Sequence, residues 1–326
     1  MSKTYWVTGS AGFIGFHLSQ SLLKKGHRVV GVDNFNPYYS PELKRARNEL
    51  LLRYPHFEFF QMDLTDKNDV LDLVKRYSFD SIFHLAAQAG VRYSLENPEA
   101  YLRSNIDGTF HILEAARYFT PHSHLMLASS SSVYGLSQQF PFREDDPADQ
   151  PVALYGATKR STELIAHSYS HLFDLKSTML RFFSVYGPWG RPDVALFRFV
   201  EQIVNGEVIE IYNHGDMIRD FTFVDDIVDG IIALDQARVT LDKPRFDIYN
   251  IGCSHPRTLM EFITTIEACL GTEAKKKFLP FQPGDIYKSM ADITKIESVC
   301  GYRPKVQMEE GVARFVKWYQ DYFLRA

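Results

Sequence analysis

Three cysteines in 326 residues, Cys253, Cys269 and Cys300, are too few and too scattered for a disulfide framework, and no CxxC pair marks a zinc site. A reducing compartment, the cytoplasm, is the expected location. No apolar run approaches the ~20 residues of a membrane helix. The chain enters a glycine-rich loop so soon after Met1 that no signal peptide is expected. Positive charge is not in excess: the net charge is −4, so neither nucleic acid nor an anionic membrane is an expected partner. The Gly-x-Ser-x-Gly elbow of esterases is missing. His167 and His171 have a zincin spacing, but Ser168 stands where the general-base Glu belongs. No carboxylate cluster has metal spacing, so no metal is expected.

What is present is an ordinary globular composition, 45% apolar and 23% charged, in a chain long enough for one large and one smaller domain. Short apolar runs alternate with amphipathic stretches in the first half. Tyr5–Val7, His27–Val32, Phe57–Gln61, Ser81–Leu85 and Leu125–Ala128 read as strands. Phe16–Lys25 and Lys67–Tyr77 read as helices. Such alternation predicts βαβ units and a doubly wound parallel α/β sheet of the Rossmann type. The texture changes after Arg181, through the turn-rich Gly187–Asp193, towards a smaller, mixed α/β substrate domain. The expected division is 1–185 plus 222–252 for nucleotide binding, and 186–221 plus 253–326 for substrate.

Gly9, Gly12 and Gly15 form GxxGxxG between the first strand and the first helix. The first glycine allows the tight turn, the second lets backbone approach a pyrophosphate, and the third lets helix and strand pack closely. Phe13 and Ile14 lie at the helix N-terminus, whose free N–H groups and dipole favour phosphate. Asp33 ends the next strand, 24 residues after Gly9. A carboxylate there accepts from ribose hydroxyls and repels a 2′-phosphate, which selects NAD over NADP. Asp63-Leu64, after the third strand, is placed to hold the adenine.

Tyr155 and Lys159 stand at i and i+4, on one face of a helix. An ammonium beside a phenol lowers the phenol's pKa and makes it a general base near neutrality. With 18 tyrosines in the chain, this spacing arises readily by accident. It gains meaning from the hydroxyl run Ser129–Ser132 at the end of a preceding strand, where Ser130, Ser131 or Ser132 can hold a substrate hydroxyl against Tyr155.

These features, in this order, together with Leu85-Ala86-Ala87-Gln88, Val133-Tyr134-Gly135 and Arg181–Pro188, resemble the extended short-chain dehydrogenase/reductase family over essentially the whole chain. Within it the chain is most similar to the UDP-glucuronate 4-epimerases. The similarity lies in Val32-Asp33-Asn34 with Pro37-Tyr38-Tyr39, Ala89–Ser94, Gly187–Asp193 and Arg219–Thr222. The resemblance implies C4 oxidation by bound NAD, rotation of the 4-keto sugar and reduction on its other face. Tyr155 is then the base, with Lys159, Ser130 and Ser132 beside it. Asn34 and Leu85–Gln88 join the NAD site. Arg191 takes the sugar carboxylate, helped by Ser184 and Ser130–Ser132. Arg92, Arg219 and Asp285, in Gln282-Pro283-Gly284-Asp285, lie by the diphosphate and its ribose. Decarboxylating and dehydrating relatives carry an acid just before Val-Tyr-Gly, where this chain has Ser132. Neutral or N-acetylated UDP-sugars stay open as alternatives, because Ser289 is small where relatives that exclude N-acetyl groups are large. The resemblance also implies a homodimer through helices near Pro98–Phe119 and Ala153–Phe173.

Overall fold

The computed structural model describes residues 2–239, 244–282 and 284–324. Residues 240–243, inside the expected 222–252 segment, and Pro283 of the Gln282–Asp285 stretch lie outside them.

Seven parallel strands form the central sheet: β1 (Thr4–Thr8), β2 (Arg28–Asp33), β3 (Phe57–Gln61), β4 (Ser81–His84), β5 (His124–Ser130), β6 (Ser177–Phe182) and β7 (Phe246–Ile251). Their spatial order is β7-β6-β5-β4-β1-β2-β3. The order reverses beside β1, so the crevice at the carboxyl ends of β1 and β4 is the place where such a sheet takes a ligand. The strands read as continuous buried runs, as expected for a sheet covered on both faces.

Strands β1 to β6 each end close to a functional candidate. Helix α1 (Phe13–Lys24) begins inside the glycine loop, three residues earlier than periodicity suggested, with Gly12 as its N-cap. Strand β5 runs on through Ser130 and a 3₁₀ turn follows at Ser131–Tyr134, so the serine run is split between sheet and turn. Helix α2 (Pro41–Leu52) is capped by the Ser40 hydroxyl, which accepts from Leu43 N, with Pro41 in the first turn. The remaining sheet-flanking helices are α3 (Lys67–Val74), α4 (Gly108–Phe119), α5 (Leu154–Phe173) and α6 (Val224–Val239).

Three short two-stranded pairings stand apart from the sheet: Ser184–Tyr186 with Phe221–Phe223, Ile218–Arg219 with Arg257–Thr258, and Val208–Ile211 with Lys275–Phe278. They pack with helices Ala195–Val204, Leu259–Leu270 and Met308–Tyr319 around a separate apolar core that includes Phe197, Phe262 and Phe315. Trp189 reaches from the Gly187–Asp193 turn into that core, with ring centroids 5.3 Å from Trp318 and 4.8 Å from Tyr322. No helix of the described residues is long and apolar enough to cross a membrane.

Candidate active site

A cavity of about 850 Å³ runs from the glycine loop, over the ends of β1, β4 and β5, to the short strand pairs beyond. At its nucleotide end a Cβ on Gly15 would overlap the carbonyl oxygen of Gly9, so no larger side chain fits where α1 meets the loop. Phe13 and Ile14 are the first helical residues, whose N–H groups have no carbonyl one turn back to reach. Asp33 Oδ1 accepts from Phe35 N at 2.9 Å and Oδ2 from Ala11 N at 3.2 Å. That ties the Asp33 carboxylate to the glycine loop itself. Burial raises the Asp33 pKa against the opposing pull of Lys44 and the two backbone N–H groups. Asn34 donates to Asp63 Oδ2 at 2.9 Å, and Leu64, Leu85, Ala86, Ala87 and Gln88 complete this wall.

Glycine clearance, free helix N–H groups and an acid at the tip of β2 form a cradle shaped for a dinucleotide with an unmodified adenosine ribose.

At the centre, Ser130, Tyr155 and Lys159 all face the cavity. The expectation that Lys159 lowers the Tyr155 pKa is corrected by the geometry. Lys159 Nζ donates to Ala128 O at 2.9 Å, so its charge is directed at the end of β5. Burial raises the Tyr155 pKa, opposed first by the Ser130 hydroxyl and then by the Arg191 charge. Burial also brings Lys159 down to about 8, against the pull of Glu163. Ser131 and Ser132 are not among the residues lining the cavity. Ser132 instead braces Ser130: its hydroxyl accepts from Ser130 Oγ at 3.2 Å and its N–H donates back at 3.2 Å.

At the far end, Ser184, Arg191, Arg219, Arg92 and Asp285 line the same cavity. Arg92 approaches Asp285 at 3.6 Å and covers the Tyr212 ring at 4.7 Å. Arg219 donates to the carbonyls of Ile286, at 2.6 Å, and Tyr287, at 3.0 Å. Burial lowers its pKa to about 10, against Asp285. Two guanidinium groups thus converge at the mouth opposite the nucleotide. Ser289 is buried and is not among the lining residues, so its small size adds no room to this wall.

Three side chains that carry the site had no role assigned from sequence. Glu163, buried in α5, accepts from Ser129 Oγ at 2.6 Å and from both Nε and Nη2 of Arg181, fixing the end of β5. Asp193 pairs with Arg191 and accepts from Tyr38. Arg47 is fully buried and donates to Ala11 O, Tyr39 Oη, Trp189 O and Gly190 O. A signal for Arg47 exists: it stands between Leu43 and Leu51 on the inward stripe of an amphipathic helix, where a cation is out of place unless it is bonded.

The family described as GDP-mannose 4,6 dehydratase matches residues 6–315. A probable UDP-glucuronate 4-epimerase of Rhizobium meliloti is 46% identical over 99% of this chain and 98% of its own. UDP-glucuronate 4-epimerase 5 of Arabidopsis thaliana is 44% identical over 98% of this chain and 76% of its own. The crystal structure of the UDP-glucuronic acid 4-epimerase of Bacillus cereus, in complex with UDP-glucuronic acid and NAD, superposes with a TM-score of 0.91 at 32% identity, covering 98% of this chain and 100% of that one.

Proposed function

Because this chain belongs to the GDP-mannose 4,6-dehydratase family of extended short-chain dehydrogenases/reductases, we propose that it is an NAD-dependent UDP-sugar 4-epimerase interconverting UDP-glucuronate and UDP-galacturonate. One observation carries the choice of sugar: Arg191 and Tyr155 line the same cavity. In a hexuronate the carboxylate is borne by C5, next to the reacting C4. A cation beside the base that serves C4 is therefore placed for that carboxylate, and its planar fork suits bidentate binding.

NAD, when bound, supplies the hydride acceptor and donor. Gly9, Gly12, Phe13, Ile14 and Gly15 hold its diphosphate and Asp33 its adenosine ribose, with Asn34, Asp63-Leu64 and Leu85–Gln88 around the remaining surface. Tyr155 takes the C4 hydroxyl proton and returns it after the sugar has turned. Ser130 holds that hydroxyl in line, and Ser132 holds Ser130. Lys159 bears on the nicotinamide ribose. Arg92, Arg219 and Asp285 grip the UDP end while the sugar rotates about its link to the diphosphate, and Ser184 adds a neutral donor beside Arg191. Residues 1–185 with 222–252 serve the cofactor; 186–221 with 253–326 serve the sugar nucleotide.

The working form is a cytoplasmic homodimer. Helices α4 and α5 expose Phe110, Tyr118, Leu164 and Leu172, an apolar face suited to a second copy.

The test is a panel of UDP-glucuronate, UDP-glucose and UDP-N-acetylglucosamine, with product configuration read by NMR. Conversion of UDP-glucuronate to UDP-galacturonate, lost on Arg191→Ala, is expected. Turnover of the neutral sugars alone, or release of CO2 from the uronate, overturns the choice of substrate and of reaction respectively.

A further inference from the structure

The carboxylate of Asp193 lies in the sugar cavity two residues from Arg191, and no step above uses it. Its Oδ1 accepts from Arg191 Nε at 2.9 Å and its Oδ2 accepts from Arg191 Nη2. The same Oδ2 accepts from the Tyr38 hydroxyl at 3.0 Å. Asp193 thus occupies the inner edge of the guanidinium. Neither of these bonds uses Arg191 Nη1, which leaves that edge for a ligand.

The pair is built in from both sides. Tyr38 comes from the loop that follows Asp33, and its ring lies 4.6 Å from that of Tyr93. A Cβ at Gly90, whose φ is +101°, would strike the Tyr38 hydroxyl and come within 3.5 Å of Asp193 Oδ2. Gly90 in turn is held by the Tyr101 hydroxyl, which donates to its carbonyl. Although burial raises the pKa of a carboxyl, Arg191 and then the Tyr38 hydroxyl outweigh it, and Asp193 stays below its ordinary value and ionised. The pair therefore sets one anion against one cation rather than leaving a lone buried cation.

We propose that Asp193, fixed by Tyr38, is the positioning residue of the carboxylate clamp. It holds Arg191 by the Nε edge, so that the Nη1 edge meets the uronate. A guanidinium has five donors in one rigid plane, so fixing one edge fixes the direction of the other. This rests on the UDP-glucuronate reading given above. It adds that discrimination between a uronate and a neutral sugar depends on Asp193, which never touches the substrate.

The experiment compares wild type, Asp193→Asn and Tyr38→Phe. Each is measured for kcat and KM on UDP-glucuronate and for competitive inhibition by UDP-glucose, which shares the UDP grip but lacks the carboxylate. In Asp193→Asn the KM for UDP-glucuronate rises about ten-fold, the scale of one lost hydrogen bond to a charged group. The UDP-glucose Ki stays within about two-fold, because the UDP grip is untouched. Tyr38→Phe moves the same KM in the same direction by about three-fold, and it decides the matter if Asp193→Asn does not fold. An unchanged or lower KM, or a KM and Ki that rise together, overturns the proposal. A wild type that is inert towards UDP-glucuronate while converting a neutral UDP-sugar overturns the substrate reading instead, and this proposal with it.

Discussion

Replacing Arg47 by Met is the sharpest physical test of how the cofactor loop and the clamp are joined. The guanidinium is fully buried and reaches Ala11 O at 2.9 Å, Trp189 O at 2.6 Å and Gly190 O at 3.0 Å. Methionine fills most of the volume but leaves these three carbonyls without their donor. Each unsatisfied buried carbonyl costs about 1–3 kcal/mol, so the loss sums to roughly 4 kcal/mol with partial relaxation. An unfolding entropy of about 2 cal/mol/K per residue converts that to a Tm lower by roughly 6 °C for a chain of this length. Arg47→Lys keeps a cation but not a fork, and is expected to lose about half as much. Differential scanning calorimetry without added nucleotide reads the shift. Isothermal titration reads a second effect: NAD binds more weakly, because Ala11 also donates to Asp33 and both positions loosen together. A Tm within about 1 °C of wild type, with unchanged NAD affinity, would refute the reasoning.

Three further outcomes are expected. Tyr155→Phe lowers kcat by about 10²–10⁴ with little change in NAD binding by titration, since it removes only the proton acceptor. Gly15→Ala abolishes NAD binding in the same titration, because its Cβ would overlap the Gly9 carbonyl. Burial holds His17 at about 4 and His84 at about 3, against the ordinary 6.5. Between those values and 6.5 the unfolded chain binds protons that the folded chain refuses. The contribution of these histidines is therefore level above pH 6.5 and falls as pH drops through this window, by about 3 kcal/mol from His17 alone. His17→Gln keeps a donor for Pro188 O and removes one of the two contributions, giving a shallower acid limb in urea melts from pH 7 to pH 4.

The alternation of strands and helices in the first half was legible because a parallel sheet buries its strands on both faces and leaves an unbroken apolar run. The glycine spacing was legible because no other residue tolerates those contacts, and Asp33 because a strand end fixes where a side chain lies. The inward stripe of helix α2 has only Leu43 and Leu51 as buried apolar residues. Its inward face carries Lys44, Arg47 and Asn48, and the acceptors of Arg47 at Ala11, Trp189 and Gly190 are far away in sequence.

Taken alone, the sequence determined the sheet and the glycine loop with Asp33, and it offered Tyr155 and Lys159 on one helix face after a serine run, since each depends on local spacing within one element and its following turn. Tertiary structure alone decided what surrounds that pair. It sent the Lys159 ammonium to Ala128 O and left Ser130 and Arg191 to oppose the burial of Tyr155. It set Asp193 and Tyr38 on the inner edge of Arg191, and made Arg47 the joint between the Ala11 and Gly190 carbonyls. The physical reason is the same each time. Whether a charge is shifted, shared or satisfied depends on burial and on partners many residues away, and only the folded chain brings those together.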